Sequence, residues 1–161
     1  MKKISVLFVC LGNICRSPAA EALFIKKIKE RGIEDRFLVD SAGTGSWHVG
    51  KKADNRMRLA AKDRKIDITS KARQISKNDF QKFNYILTMD DSNYQNVISL
   101  NNGESYSDVC KVRKMQEFAN SFNEKEVPDP YFGGEEGFDY VLDILNDSTD
   151  GFLDYVFKNH L

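Results

Sequence analysis

Cysteine is scarce in this chain and its number is odd, three in 161 residues. That excludes a disulfide scaffold and fits a reducing cytoplasm better than secretion. Histidine is scarcer still. His48 and His160 stand far from any cysteine pair at zinc-ligand spacing, so no metal site is expected. No apolar run approaches the ~20 residues of a membrane span. The basic start, Met1-Lys-Lys-Ile-Ser5, leads into an apolar segment of only Val6 to Val9 with no small-residue cleavage site after it. It reads as a strand rather than as a signal peptide. An excess of one charge is lacking as well. Lys+Arg and Asp+Glu number 24 each, and the basic residues are spread along the chain as on a solvated surface. Neither nucleic acid nor membrane is expected as a partner.

What is present suits one domain over residues 1–161, since 41% apolar and 30% charged residues are ordinary proportions for a globular core and its surface. Ile4 to Val9 is almost continuously apolar and β-branched, as in a strand buried on both faces. Ser17 is expected as an N-cap, with Pro18 at the first helical position and Glu21 in the first turn. Ala20, Leu23, Phe24 and Ile28 follow at helical spacing, and Gly32 is the stop. Phe37–Val39 reads as a second strand, running into a loop from Asp40 to Gly50. Ala53–Lys65 reads as a helix, and Ser76–Asp79 as a cap before Phe80. Tyr85–Met89 is a third strand, and a helix from Asp90 to about Leu100 follows it. Lys111–Met115 is a fourth strand, and Gln116–Phe132 a long connection. A last helix after Gly134 carries Phe138, Val141, Leu142, Leu145, Phe152, Leu153 and Val156 as one apolar stripe, with Gly151 as its weak point. Strands alternating with helices give a doubly wound α/β sheet. Ligands of such sheets sit at the carboxyl ends of the strands, so the loops carrying Cys10, Ser41 and Asp90 should gather at one edge.

The first of these loops carries chemistry. In Cys10-Leu-Gly-Asn-Ile-Cys-Arg-Ser-Pro18 the Cys-x5-Arg spacing lets a loop curl with the N–H groups of Leu11, Gly12, Asn13, Ile14 and Cys15 pointing inward. Such a concavity at a helix N-terminus binds an anion. Gly12 and Asn13 are expected to supply positive φ. Arg16 can hold two phosphate oxygens at once. An electropositive setting of this kind favours a thiolate, and a phosphoryl group held by the loop would be aligned for in-line attack by Cys10. The alternative, a structural cysteine after an apolar strand, leaves Arg16 without a purpose. The departing oxygen needs a proton, and Asp129, between Pro128 and Pro130, is the candidate donor. An aspartate beside proline also suits a plain turn, and spacing alone does not choose.

These residues resemble a known family. Cys10–Pro18 and Asp129-Pro-Tyr131 look like the two signature motifs of the low-molecular-weight protein tyrosine phosphatases. The resemblance extends to Asp40-Ser41, Trp47 with Val49-Gly50, Lys71-Ala-Arg-Gln74 and Tyr85-Ile-Leu with Met89-Asp90. It implies a flavodoxin-like three-layer fold with a central four-stranded parallel sheet flanked by helices, a phosphocysteine intermediate, and neither metal nor cofactor. It makes Cys10 the nucleophile, Arg16 the transition-state stabiliser, Asp129 the general acid, Ser17 the support of the leaving thiolate, and Asn13 with Ser41 the holders of the loop. Trp47 and Tyr131 resemble aromatic walls that accept a phenyl phosphate, though an exposed loop tryptophan needs no such role. Ile14 stands where phosphoarginine phosphatases carry threonine. Phe132 replaces a second tyrosine of animal members, and Ser70 replaces a buttressing histidine, which leaves the loop's support from that side open. Cys15 matches a residue that in some members forms a reversible disulfide with the nucleophile; a small apolar loop residue is the alternative.

Two rivals remain. An arsenate reductase on the same scaffold would need resolving cysteines after the third strand, and residues 80–100 contain none. A phosphotyrosine reader without turnover would have lost the thiol or the acid, and both are present. The expected ligands are phosphotyrosyl proteins or peptides, with phosphate or other oxyanions in the loop. A cytoplasmic monomer is the expected form.

Overall fold

Ile4–Cys10 forms β1 and is buried at every position in the computed structural model, which describes residues 2–161. Its neighbours explain that burial. β2 (Phe37–Gly43) and β3 (Tyr85–Thr88) pair with it on either side, and β4 (Lys111–Lys114) lies outside β3. All three pairings are parallel, in the order β2-β1-β3-β4. That is the flavodoxin-like order, with the switch point between β1 and β3. Side chains of β1 alternate between two cores. Val6 and Phe8 point toward α1 (Arg16–Glu30) and α5 (Glu136–His160), where Phe24, Leu142 and Phe152 pack. Leu7 and Val9 point to the other face, against Phe80 of α3 (Asp79–Lys82), Phe83, and Val97 of α4 (Asp91–Leu100). The helix α2 (Asn55–Lys62) adds Met57 and Ala61 to the first core. Among the described residues no helix is long and apolar enough to cross a membrane.

Several local expectations change. α1 begins at Arg16, and its N-cap is Cys15 with no side-chain cap, so Ser17 and Pro18 lie within the first turn. Ser17 is freed from capping because its hydroxyl faces Cys10 instead. Glu21 lies beyond the first turn, turned toward Ser41. Gly32 has φ of 67° just past the helix end and stops it as anticipated. β2 runs four residues past Val39, so Ser41 sits within the strand, in register with Phe8, rather than in a loop. α2 is shorter than the spacing suggested and starts after Asp54, whose carboxylate accepts Arg56 N–H at 2.8 Å. Asp90 caps α4 in the same way, accepting Asn93 N–H at 2.7 Å.

Candidate active site

The loop after β1 turns around the sulfur of Cys10. Asn13 N–H points at Cys10 Sγ at 3.3 Å, and Ser17 Oγ lies 3.0 Å from the same atom. The positive φ falls on Asn13, at 57°, and Gly12 does not share it. A Cβ at Gly12 would stand 2.9 Å from the ring of His48, which would have to shift to admit it.

Asn13 is buried and fully engaged. Its Oδ1 accepts Arg73 N–H at 3.0 Å, and because a backbone N–H can only donate, this identifies the oxygen end of the amide. The amide NH2 then donates to Ser17 Oγ at 2.8 Å and Ser41 Oγ at 3.0 Å. Each serine oxygen accepts, so each hydroxyl proton goes elsewhere. Ser41 donates to Glu21 Oε1 at 2.6 Å. Ser17 has Cys10 Sγ at 3.0 Å and Ala42 C=O at 3.4 Å, and the nearer sulfur takes the bond. Burial pushes the Glu21 carboxyl above its ordinary range, against the hydrogen bond from Ser41 that lowers it.

Arg16 is buried under the loop and held from the end of β3. Its Nη1 donates to Asp90 Oδ2 at 2.7 Å and to Val127 C=O at 3.0 Å. Val127 N–H in turn binds Met89 C=O at 2.8 Å, at the end of β3. Arg16 Nη2 lies 3.5 Å from Asp129 Oδ2. Burial works against its charge, but Cys10, Asp90 and Asp129 more than offset that and hold the guanidinium above its ordinary value. Asp129 is partly exposed, and its Oδ1 accepts Tyr131 N–H at 3.1 Å. The turn reading and the acid reading are thus compatible, since one oxygen shapes the turn and the other faces the arginine.

A cavity of about 210 Å3 opens over this floor. Cys10, Gly12, Ile14 and Arg16 lie at its base, and Trp47, His48, Tyr131 and Phe132 form its walls. Leu11, Cys15 and Asp129 complete the lining. Trp47 is 68% exposed and Phe132 94%, so the mouth is rimmed by aromatic surface. Arg56 steadies one wall. Its guanidinium donates to Tyr131 C=O at 3.0 Å, stacks 5.5 Å from the Tyr131 ring and pairs with Asp54 at 2.9 Å. Cys15 is buried, and burial, with Asp54 and Cys10 nearby, pushes its thiol well up, so it is held protonated.

The family model described as low molecular weight phosphotyrosine protein phosphatase matches residues 5–160. The chain belongs to the low-molecular-weight protein tyrosine phosphatase family. It is 44% identical over 153 residues to a low molecular weight phosphotyrosine protein phosphatase of Schizosaccharomyces pombe, covering 94% of this chain and 96% of the relative. A protein tyrosine phosphatase of Entamoeba histolytica superposes with a TM-score of 0.91 at 40% identity, over 99% of this chain and all of that one. A Drosophila arginine phosphatase also superposes, with a TM-score of 0.88 at 33% identity over the whole of both chains.

Within this phosphatase fold, all the site residues expected from the sequence converge on the carboxyl ends of the strands. Three others were not anticipated in their positions. Glu21 reads from the sequence only as a residue of the first helical turn, and its hydrogen bond to Ser41 of β2 reveals its part. Asp90 was expected at the sheet edge but without a partner; its pairing with Arg16 needs the β1–β3 adjacency. His48 gave only its place beside Trp47 as a signal.

Proposed function

We propose that the chain hydrolyses phosphotyrosine monoesters through a phosphocysteine intermediate. Cys10 Sγ attacks phosphorus while the loop N–H groups and Arg16 hold the three non-bridging oxygens. Asp129 gives its proton to the phenolic oxygen as the P–O bond breaks. A water then attacks the phosphocysteine, Asp129 takes a proton from it, and Cys10 leaves as the thiolate. The Ser17 hydroxyl, already directed at the sulfur, stabilises that charge. The observation that carries this reading is the convergence of Cys10, Arg16 and Asp129 on the floor of one aromatic-walled cavity.

Trp47 and Tyr131 accept a phenyl ring between them, and the apolar side chain of Ile14 at the base offers a guanidinium no hydrogen-bond partner. Phosphotyrosyl proteins or peptides are therefore the substrate class, in preference to phosphoarginine. The reaction as written uses no cofactor. The same reading takes residues 1–161 as one domain, active as a monomer in the cytoplasm.

Hydrolysis of a phosphotyrosyl peptide, an aryl phosphate series and a phosphoarginine peptide tests it. Cys10→Ser is expected to lower kcat by ~10^3-fold or more, and Asp129→Ala by roughly 10^2- to 10^4-fold, most for poor leaving groups. Equal turnover by wild type and Cys10→Ser would sink the mechanism. Faster cleavage of phosphoarginine than of phosphotyrosine would overturn the substrate class.

A further inference from the structure

The strands of the sheet begin at the end opposite the phosphate loop. There, residues from the start of β1, the turn before β2, the end of α3, the start of β4 and the end of α5 surround a groove of about 630 Å3. Five cations line it: Lys2, Lys3, Arg36, Lys82 and Lys111. One carboxylate, Asp108, opposes them. In a chain whose 24 basic and 24 acidic residues cancel, five against one concentrates a surplus of four positive charges in one concavity. Among the described residues none of the five forms an ion pair. Like charges gathered in a concave surface raise the local potential and attract anions.

Arg36 adds a second observation. Its Nε is buried and has no hydrogen-bond partner, an unmet donor on a side chain that lines the groove. Neutral donors accompany the charges. Asn84 uses Oδ1 to accept Ser5 N–H at 2.8 Å, which leaves its NH2 as a donor beside Gln81. Among the described residues the one exposed aromatic ring in its lining is His160. Tyr85 is buried, with its hydroxyl bonded to His160 Nε2 at 2.6 Å, and presents no face on which a base could stack. The groove is built to read charge and phosphate-type acceptors.

We infer that this groove binds a small oxyanion of three or more negative charges, a short chain of condensed phosphates, at a site separate from the phosphate loop. β1 spans the distance between the two sites, about 20 Å for seven residues at ~3.3 Å each. The chain can be inorganic or the phosphate tail of a nucleotide, since the groove addresses only what the two share.

Residue-resolved titration separates this site from the catalytic loop, which also takes oxyanions. Inorganic tripolyphosphate added to the 15N-labelled full chain is expected to shift the amides of Lys3, Lys82, Asn84 and Lys111 along one saturation curve. Adenosine triphosphate should match it within a few-fold, and orthophosphate at equal ionic strength should bind at least tenfold more weakly. Lys82→Glu with Lys111→Glu should weaken this curve at least tenfold while aryl phosphate kcat/KM stays within twofold. Both lysines are exposed, and Lys82→Gln with Lys111→Gln gives the same test without charge reversal. Shifts confined to residues 10–17, unchanged affinity in both double variants, or orthophosphate binding as tightly would overturn the inference. So would a nucleotide preference beyond tenfold, or a single-stranded DNA oligonucleotide binding more tightly than tripolyphosphate, which would make the groove a nucleic-acid surface.

Discussion

At Asn13 three requirements meet: a left-handed backbone, a donor for two serines, and an acceptor for Arg73 N–H. Only a short amide satisfies all three, because glycine has no side chain and aspartate cannot donate. The last group in this chain of bonds, Glu21, makes the network sensitive to pH. Its folded-state carboxyl is raised by burial, so between its unfolded and folded values the native protein binds more protons than the unfolded chain. Glu21 therefore costs stability as pH rises through that window, and the cost disappears below it. Glu21→Gln removes the charge and keeps an acceptor for Ser41. The variant's stability relative to wild type should be most favourable at neutral pH and decline as pH falls toward 4, measured by urea denaturation. A difference that does not change with pH would show that Glu21 does not titrate between the two states. At this scale the sequence was legible in placement, as at Cys10, Arg16 and Asp129, which line one cavity. It was silent on Glu21, whose role comes from β2 packing over α1.

Among the elements, α5 shows how a local weakness can be a packing requirement. Gly151 interrupts a good helical stripe, yet a Cβ there would lie 1.7 Å from Phe118 C=O. The turn Met115–Phe118 crosses the helix at that point, and the Phe118 ring packs edge-on to Phe152 at 5.1 Å. Gly151→Ala improves helix propensity by about 1 kcal/mol but forces the two backbones apart, and overpacking costs roughly 1–3 kcal/mol. A net fall in Tm is expected by thermal denaturation; a rise would mean the turn yields freely. The periodic elements, α1, α5 and the four strands, were all legible in the sequence. The extension of β2 through Asp40-Ser-Ala-Gly43 was not, because those residues have little strand propensity and are held by the ladder to β1 and by Gly43 bonding to Arg73 C=O and Ile75 N–H. Ser17 misled as a cap for a related reason. A hydroxyl at a helix start has several possible partners, and here sulfur and Asn13 claim it.

Across the whole molecule, the loop after β1 draws on three strands, β1 through Cys10, β2 through Ser41 and β3 through Asp90 and Val127 at its end. An oxyanion bound there stabilises the folded state as a unit. Orthophosphate at 100 times its Kd should add about 2.7 kcal/mol, or roughly 5–10 °C in Tm for a chain of this size. Arg16→Lys, which loses the two-pronged grip, should lose most of that shift in a thermal scan; an undiminished shift would place the anion elsewhere. The basic groove shows what sequence cannot display at this scale. Positions 2, 3, 36, 82 and 111 look like dispersed surface charge, and only the parallel topology, which starts every strand at one pole, collects them.

β1 carries a last consequence. It is central in the sheet, paired along both edges and covered on both faces, and Cys10 is its final residue. Such a strand belongs to the slowest-exchanging part of a protein, opening only with the global transition. The reactive sulfur thus hangs from the last backbone to come apart. Partial unfolding that loosens Asn101–Asp108 or the approach to Asp129 leaves the thiol's position unchanged.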